Sequence, residues 1–394
     1  MTVQGWISDM KVIDVDSHIA EPADLWTSRL PKKWGDLVPH VAQHPKTGFR
    51  TWRIGELWVH EEGTTAYAGW KQWPPAAPHH LDDEGVDPGS WNPRERLKWM
   101  DANGIHAQVL YPNILAFHAR VFMQIDREVA LGIVQAWNDF QSDFAAEAPG
   151  RFIPVAMLPF WDVQACVREM RRCYDKGHRG VLFGNKYDRA GLPTLEKPHW
   201  DPIYAAAQEM DMPMNFHVGV GELDINNFKE VAANPMPYPV TYGQFIVSEM
   251  LANADSFIKI TTSGLCHRFP GIKFVSVESG FGYLPYVLQS LDWHWKTTNG
   301  PGVLPNQLLP SEYFRRQCYG AFWFETETLP LLELYPDNFM FETDYPHPTG
   351  MCPGPATVAI APNEHIEKNM KGVLKEETLR KVLHDNAAKL YRLD

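Results

Sequence analysis

The chain has 394 residues, of which 44% are hydrophobic and 21% charged, a composition typical of a globular protein with a large core. Its formal net charge of −12 argues against a nucleic-acid-binding surface, because the phosphate backbone attracts basic proteins. The five cysteines form no CxxC pair, which disfavours a disulfide framework or a thiolate zinc site and favours a cytoplasmic location. We expect no signal peptide at residues 1–10 and no association with a membrane.

Short apolar segments alternate with amphipathic segments along the chain. The apolar segments predict eight strands over residues 12–16, 107–111, 152–158, 180–183, 214–217, 273–277, 318–324 and 338–342. The amphipathic segments predict helices over residues 93–102, 124–148, 163–176, 202–210, 242–255, 284–296, 328–334 and 376–390. This alternation favours an α/β fold, a (β/α)8 TIM barrel, over a doubly wound sheet. We expect residues 1–394 to form a single domain.

The segment 43–89 interrupts the alternation of strands and helices. Residues 51–59 predict a tight hairpin, and a proline-rich stretch follows it. We interpret the segment as an insertion after the first strand that caps the barrel mouth. The proline-rich loops 234–239 and 351–362 follow the fifth and eighth strands, so they are candidate walls of a substrate pocket, although plain surface connections remain the alternative.

Polar side chains end three of the predicted strands. Asp16 and His18 lie two residues apart at the end of the first strand and should point to the same side. His217 ends the fifth strand, and Asp344 closes the eighth. The carboxyl ends of all strands meet at one mouth of a parallel barrel, so these four side chains should converge there. Two carboxylates and two imidazoles can bind a divalent metal such as zinc, iron or manganese.

The same segments resemble a known family. The motifs are DVDSHIAEP at residues 14–22, NFH at 215–217, FPGIKFVSVESG at 269–280, ETDYPH at 342–347 and NAAKLY at 386–391. They are similar to the amidohydrolase-related branch of the amidohydrolase superfamily, which includes aminocarboxymuconate-semialdehyde and resorcylate-type decarboxylases, hydrolases and hydratases. The resemblance implies a distorted (β/α)8 barrel, a divalent metal in the mouth and a homodimer. It places the metal ligands at Asp16, His18, His217 and Asp344.

The chain departs from these decarboxylases at Glu278, where they commonly carry a histidine. A carboxylate there can accept a proton from metal-activated water or bind a second metal, so we expect one or two ions. This favours a hydrolase that attacks an ester, thioester or amide carbonyl of a partly apolar small molecule. Glu278, Asp344 and His347 are the candidate catalytic residues. A role for Glu278 as a hydrogen-bond acceptor that orients a ligand histidine remains open.

Two other functions remain open. The first is a non-oxidative decarboxylase of an aromatic or unsaturated carboxylic acid, a reaction that needs a proton delivered to carbon. The second is a metal-stabilised binding protein without turnover. Further candidates for the site are Glu21, His178, Asn185, Glu342 and Tyr345.

Overall fold

The computed structural model describes residues 9–221 and 236–393. Its strands are β1 (Val12–His18), β2 (His40–Gln43), β3 (Arg50–Ile54), β4 (Leu57–Glu61), β5 (Ile105–Tyr111), β6 (Phe152–Met157), β7 (Gly180–Leu182), β8 (Met214–His217), β9 (Phe274–Val277), β10 (Cys318–Phe322) and β11 (Phe339–Phe341). Eight of them pair in parallel in the order β1-β5-β6-β7-β8-β9-β10-β11. This order is that of consecutive strands around a (β/α)8 barrel, so the predicted fold is confirmed.

The barrel closes between β1 and the segment that follows β11. Ser17 forms a parallel bridge with Tyr345. The backbone N–H of His18 donates to the carbonyl oxygen of Tyr345 at 2.6 Å, and that of Asp344 donates to the carbonyl oxygen of Asp16 at 2.9 Å. The two ends of the barrel sheet therefore meet at the residues that the sequence assigns to the site.

Helices form the outer layer of the barrel. They are α1 (Pro93–Asn103), α2 (Ala119–Gln124), α3 (Arg127–Ala146), α4 (Val163–Asp175), α5 (Asp201–Glu209), α6 (Tyr238–Thr262), α7 (Leu265–Arg268), α8 (Leu284–Thr297), α9 (Gly300–Val303), α10 (Pro310–Gln317), α11 (Pro362–His365), α12 (Glu376–Arg380) and α13 (Asn386–Tyr391). Within residues 9–221 and 236–393, no helix combines the length and the apolar character needed to cross a bilayer.

Three helix predictions differ from the structure. The predicted helix 124–148 begins only at Arg127, after Asp126, whose carboxylate accepts hydrogen bonds from the N–H groups of Glu128 and Val129 and so caps α3. The predicted helix 328–334 is a 3₁₀ helix over Leu329–Leu334. The predicted helix 376–390 contains a π-helical turn at Lys381–Asp385. Helix α10 was not predicted, because its many charged residues leave only a short apolar face.

The insertion forms a small sheet together with strand β2, which immediately precedes it. Strands β2, β3 and β4 are antiparallel, and β3 and β4 form the predicted hairpin, which is confirmed. The backbone N–H of Tyr67 donates to the carbonyl oxygen of Pro346 at 2.8 Å, as does that of Ala68 at 3.2 Å. The insertion is thus held to the segment after β11, next to the barrel closure.

Asp14 joins the two ends of the barrel sheet through its buried carboxylate. Its oxygens accept hydrogen bonds from the backbone N–H of Thr343 at 2.8 Å and from the side-chain hydroxyl of Thr343 at 2.5 Å. They also accept from Gln108 Nε2 at 2.8 Å and from the backbone N–H of Asp16 at 3.1 Å. Asp14 therefore positions both segments that carry the candidate ligands.

Replacing Asp14 with alanine should destabilise the barrel strongly. Asp14→Ala leaves buried donors of Thr343, Gln108 and Asp16 without an acceptor, so we expect the free energy of unfolding to fall by about 3 kcal/mol. Urea denaturation followed by circular dichroism measures this change. The exposed Asp24→Ala is the control, with an expected change below about 0.5 kcal/mol. Equal stability of the two variants would contradict the proposed role of Asp14.

Candidate metal centre

Five side chains singled out by the sequence meet at the carboxyl-terminal mouth of the barrel. Asp16 and His18 end β1, His217 ends β8, Glu278 follows β9 and Asp344 follows β11. All five are buried, and their potential ligand atoms fall into groups in which every atom lies within 4.8 Å of the others. The structure thus brings the predicted ligands together from four separate strands.

A change of register in β1 directs Asp16 into this cluster. The pairing of β1 with β5 shifts between Asp14 and Ser17. Asp14 bonds to Gln108, which also receives a hydrogen bond from Arg96 of helix α1, so Asp14 faces the helical layer. Asp16 instead contacts the two histidines of the mouth. A β-bulge reorients a side chain in this way without ending the strand.

The two histidines present their Nε2 atoms to each other. His18 Nδ1 lies 3.0 Å from the carbonyl oxygen of Pro112, and His217 Nδ1 lies 2.9 Å from the carbonyl oxygen of Val218. Because a carbonyl oxygen only accepts, both Nδ1 atoms carry a hydrogen, and each neutral ring then presents a lone pair at Nε2. The two Nε2 atoms are 3.0 Å apart. Two facing lone pairs at this distance repel each other unless a proton or a cation lies nearby.

The carboxylates complete a donor set suited to a cation. Asp16 Oδ1 lies 3.4 Å from His18 Nε2, and Asp16 Oδ2 lies 3.5 Å from His217 Nε2. Asp344 Oδ1 lies 3.6 Å from His18 Nε2. Neither oxygen of Asp16 has a hydrogen-bond partner within residues 9–221 and 236–393. A buried carboxylate without a partner is costly, so this donor set fits a divalent metal ion.

A second group of side chains surrounds Asp344 and Glu278. Glu278 Oε2 lies 3.6 Å from His217 Nε2. The hydroxyl of Thr349 donates to Asp344 and lies 3.3 Å from Glu278 Oε1. His347 Nδ1 lies 2.7 Å from Asp344 Oδ1, and the His347 ring stacks on His18 at 3.8 Å. These contacts place His347 and Glu278 directly beside the donor set.

Asn113 holds the far side of His347. The amide of Asn113 donates through Nδ2 to the carbonyl oxygen of Ile19 at 2.8 Å, so its Oδ1 is the acceptor for His347 Nε2 at 2.5 Å. Glu21 Oε1 accepts the backbone N–H of Asn113 at 2.9 Å and so holds that loop. His347 therefore carries a hydrogen on Nε2, and Nδ1 faces Asp344. Sequence reasoning missed Asn113 and Thr349; the signal for Asn113 is a polar residue directly after β5.

Two acidic residues of the site have an unusual backbone conformation. Glu278 has φ +52° and Asp344 has φ +53°. Residues other than glycine seldom adopt this left-handed region, and such strain is concentrated at functional sites. It indicates that the surrounding contacts, rather than local preference, aim these two carboxylates into the mouth.

Burial and mutual repulsion shift the pKa values of the cluster. Burial raises the pKa of Glu278 well above its usual range, and the nearby carboxylates Asp344 and Asp16 raise it further. Burial also opposes ionisation of Asp16, but His217 and His18 outweigh it and lower its pKa. Burial and the adjacent His347 lower the pKa of His18 to about 4. A bound cation would favour the ionised form of each carboxylate and the neutral form of each imidazole.

The remaining sequence candidates lie around the site or away from it. Glu342 Oε2 accepts the backbone N–H of Glu278 at 3.1 Å, so it supports the segment after β9. The Tyr345 ring packs against Arg96, 4.2 Å from its guanidinium carbon. His178 bonds to Ser142 on helix α3, outside the barrel interior. Asn185 donates to Asn253 at 2.7 Å and to Ser256 at 2.9 Å, both on helix α6.

A cavity of about 360 Å³ opens onto the site. Glu278, His347 and Thr349 line one part of it, and its walls include the apolar side chains Val59, Phe117, Phe245 and Ile246. The insertion contributes Val59, His60, Thr64 and Thr65 to the lining. The predicted wall 351–362 contributes no lining residue, and the predicted wall 234–239 begins outside the described residues.

A parallel barrel whose mouth gathers histidines and carboxylates in this way is typical of metal-dependent barrel enzymes. Residues 13–393 match the family described as Amidohydrolase, so the chain belongs to the amidohydrolase family. The resemblance in the sequence motifs is therefore confirmed.

Known proteins match most of the chain. A gamma-resorcylate decarboxylase of Rhizobium sp. (strain MTP-10005) is 27% identical over 269 residues, covering 64% of this chain and 76% of the relative. An amidohydrolase of Mycobacterium avium subsp. paratuberculosis K-10 superimposes with a TM-score of 0.71 at 22% identity, covering 97% of this chain and 99% of the other. A dihydroxybenzoic acid decarboxylase of Polaromonas sp. JS666, with bound manganese and 2-nitroresorcinol, has a TM-score of 0.61 at 21% identity, covering 97% of both chains. These two structures share the fold.

The prediction of a hydrolase is wrong. The relatives matched by sequence are decarboxylases, which agrees with the alternative function that the sequence left open. The hydrolase prediction rested on Glu278 accepting a proton from metal-activated water or binding a second metal. In the structure Glu278 is buried beside Asp344 and Asp16, and burial and these two carboxylates raise its pKa.

Removing one candidate ligand should weaken metal binding. We expect His217→Ala to lower the affinity for Mn²⁺ at least about tenfold, because the remaining donors no longer enclose the ion. Titration of metal-stripped protein with Mn²⁺, followed by electron paramagnetic resonance of the free ion, measures this affinity. His199→Ala, which changes an exposed histidine, should retain the wild-type value. Equal affinities of the two variants would remove His217 from the ligand set.

Proposed function

We propose that this protein is a metal-dependent, non-oxidative decarboxylase of an aromatic carboxylic acid. The observation that carries this proposal is the position of the ligand cluster beside a mainly apolar cavity, with His347 and Asp344 in contact at 2.7 Å. The decarboxylase relatives support it, since the names gamma-resorcylate decarboxylase and dihydroxybenzoic acid decarboxylase both specify an aromatic acid as the substrate. An unsaturated acid is a second candidate, because a 2-amino-3-carboxymuconate-6-semialdehyde decarboxylase also matches.

The proposed metal site consists of Asp16, His18, His217 and Asp344, which are the residues that the sequence assigns to it. We propose one ion with Glu278 beside it rather than bridging to a second ion, and we propose manganese because the Polaromonas structure contains bound manganese. When bound, the ion supplies positive charge that holds the substrate's oxygens and stabilises negative charge as carbon dioxide leaves. The donor set fits this metal, because manganese accepts both carboxylate and imidazole ligands.

The cavity suits the rest of an aromatic acid. Phe117, Phe245 and Ile246 provide an apolar surface for a ring. No lysine or arginine is among the described residues that line the cavity. The negative charge of the substrate carboxylate would therefore be balanced by the bound ion, and this orients the carboxylate toward the proposed metal site.

The chemistry requires one bond to break and one proton to move. The bond between the ring carbon and the carboxylate breaks, its electron pair stays on the ring carbon, and carbon dioxide leaves. A proton replaces the carboxylate on that carbon, so the reaction has no net oxidation. We propose that Asp344 and His347 hold this proton between them, since Asn113 directs Nδ1 of His347 to Asp344. The hydroxyl of Thr349 contacts both Glu278 and Asp344, so Glu278 lies beside the place that we propose for the substrate carboxylate.

Three broader assignments remain proposals. We propose that the insertion 43–89 caps the mouth of a single domain, in agreement with its contacts to Pro346 and its share of the cavity wall. The homodimer implied by the family resemblance and the cytoplasmic location favoured by the cysteines remain predictions.

The proposed activity predicts release of carbon dioxide from a phenolic acid. Protein loaded with Mn²⁺ and incubated with 2,6-dihydroxybenzoate should form 1,3-dihydroxybenzene and an equal amount of carbon dioxide, measured by chromatography and a coupled carbon dioxide assay. Removal of the metal by a chelator should abolish the reaction, and added Mn²⁺ should restore it. Failure of the loaded protein on a panel of aromatic and unsaturated acids would refute the proposal.

Changing His347 separates proton handling from metal binding. We expect His347→Gln to lower kcat by a factor of about 10² to 10⁴, the usual contribution of a general acid, while the bound manganese stays at the wild-type level. Steady-state kinetics measure kcat, and metal analysis of the same preparation measures the bound manganese. Unchanged kcat would exclude His347 from the reaction, and loss of metal would place it among the ligands instead.

A further inference from the structure

The cavity has a second set of polar side chains, distinct from the ligand cluster. His60, Thr64 and Thr65 come from the insertion, and His118 comes from the segment after β5. The rings of His60 and His118 lie 6.5 Å apart. We term these four residues the distal subsite. They share the cavity with Glu278 and His347, and apolar side chains such as Phe245 make up much of the remaining wall.

The polar atoms of the distal subsite are available to a ligand. Within residues 9–221 and 236–393, the side chains of Thr64, Thr65 and His118 make no hydrogen bond to the protein. His60 Nδ1 lies 3.0 Å from the carbonyl oxygen of Glu61, so it carries a hydrogen and leaves Nε2 as an acceptor. Half-buried polar groups that face a cavity without a protein partner are typical of sites that hydrogen-bond a substrate.

The charge around the distal subsite selects an uncharged ligand group. Burial, together with His60, lowers the pKa of His118 to about 4, and burial lowers the pKa of His60 as well. Both rings are therefore neutral near pH 7. Glu249 adds a carboxylate to the cavity wall and forms an ion pair with Lys186. Among the described residues that line the cavity there is no lysine or arginine to pair with a second carboxylate of the substrate, whereas a hydroxyl can both donate to and accept from the neutral groups of the subsite.

The subsite lies close to the ligand cluster in space. Phe117, which precedes His118, contacts the ring of His217 at 5.7 Å between ring centres. A cavity of about 360 Å³ lies within the range of roughly 300–1,000 Å³ that small-molecule ligands occupy. The cavity that both polar regions line is thus large enough for one substrate ring with substituents at opposite ends.

We infer that the distal subsite binds an uncharged hydroxyl substituent of the substrate, on the side of the ring opposite the carboxylate that is released. The inference rests on the proposed decarboxylase function and narrows its substrate class to aromatic acids with a distal hydroxyl. It assigns the insertion a role in specificity, because three of the four residues belong to it.

Three acids that differ only at the distal position test this inference. They are 2,4,6-trihydroxybenzoate, 2,6-dihydroxy-4-methylbenzoate and 2,6-dihydroxyterephthalate, which carry a hydroxyl, a methyl group and a second carboxylate. For wild-type protein loaded with Mn²⁺, kcat/KM for the hydroxyl compound should exceed that for the methyl compound roughly tenfold. The terephthalate should be the poorest of the three. A preference for the methyl compound or for the terephthalate would overturn the inference.

Variants connect the preference to the named residues. Thr64→Val removes one hydroxyl at nearly constant volume, and His118→Phe removes the ring nitrogens. Each should reduce the hydroxyl-to-methyl ratio of kcat/KM, and the double variant should bring it close to one. His199→Phe, at an exposed position outside the cavity, should keep the wild-type ratio. A wild-type ratio in both folded subsite variants, with folding checked by circular dichroism, would contradict the assignment.

Direct binding separates this inference from the proposed function. Isothermal titration calorimetry gives the dissociation constants of the same three acids for the manganese-loaded wild-type protein and variants. If no acid releases carbon dioxide, the proposed function fails. The ratio of the binding affinities for the hydroxyl and methyl compounds then decides alone whether the distal subsite binds a hydroxyl. Equal affinities of wild-type protein for the hydroxyl and methyl compounds would overturn the inference, whether or not the protein releases carbon dioxide.

Discussion

The site depends on the electrostatic constraint that two imidazole nitrogens face each other at 3.0 Å beside a buried carboxylate. The carbonyl oxygens next to both Nδ1 atoms fix the hydrogens there, so the Nε2 lone pairs of His18 and His217 point inward. Asp16 adds negative charge, and no donor among the described residues forms a hydrogen bond with its carboxylate oxygens. Such a cluster is stable only when a proton or a cation balances it, and a divalent cation balances all four donors at once.

The rest of the barrel positions these donors. Closure through Ser17 and Tyr345 brings β1 beside the segment after β11, so residues over 300 positions apart in the sequence become neighbours. Asp14 secures this junction from the helical side, and the register shift after it turns Asp16 inward. The strained backbone at Asp344 shows the same principle: tertiary contacts hold this carboxylate where local preference would not. The apolar cavity then limits which molecules reach the cluster.

Much of the fold could be predicted, because buried parallel strands leave continuous apolar runs in the sequence. All eight barrel strands were found this way, and the polar residues at their ends indicated a common mouth. The contacts of Asn113 and Thr349 could not be predicted, since they depend on how two loops fold over the barrel. Glu278 led to the wrong reaction because its residue type is compatible with several chemistries. Its burial among carboxylates is a property of the assembled site, which a single sequence does not reveal.

The central claim is that Asp16, His18, His217 and Asp344 bind one divalent metal ion. The most direct test is X-ray diffraction from crystals grown with Mn²⁺, with data collected on both sides of the manganese absorption edge. The account predicts one anomalous peak bonded to these four side chains. It would be contradicted if crystals of verified manganese content showed the peak elsewhere, or no peak among these residues.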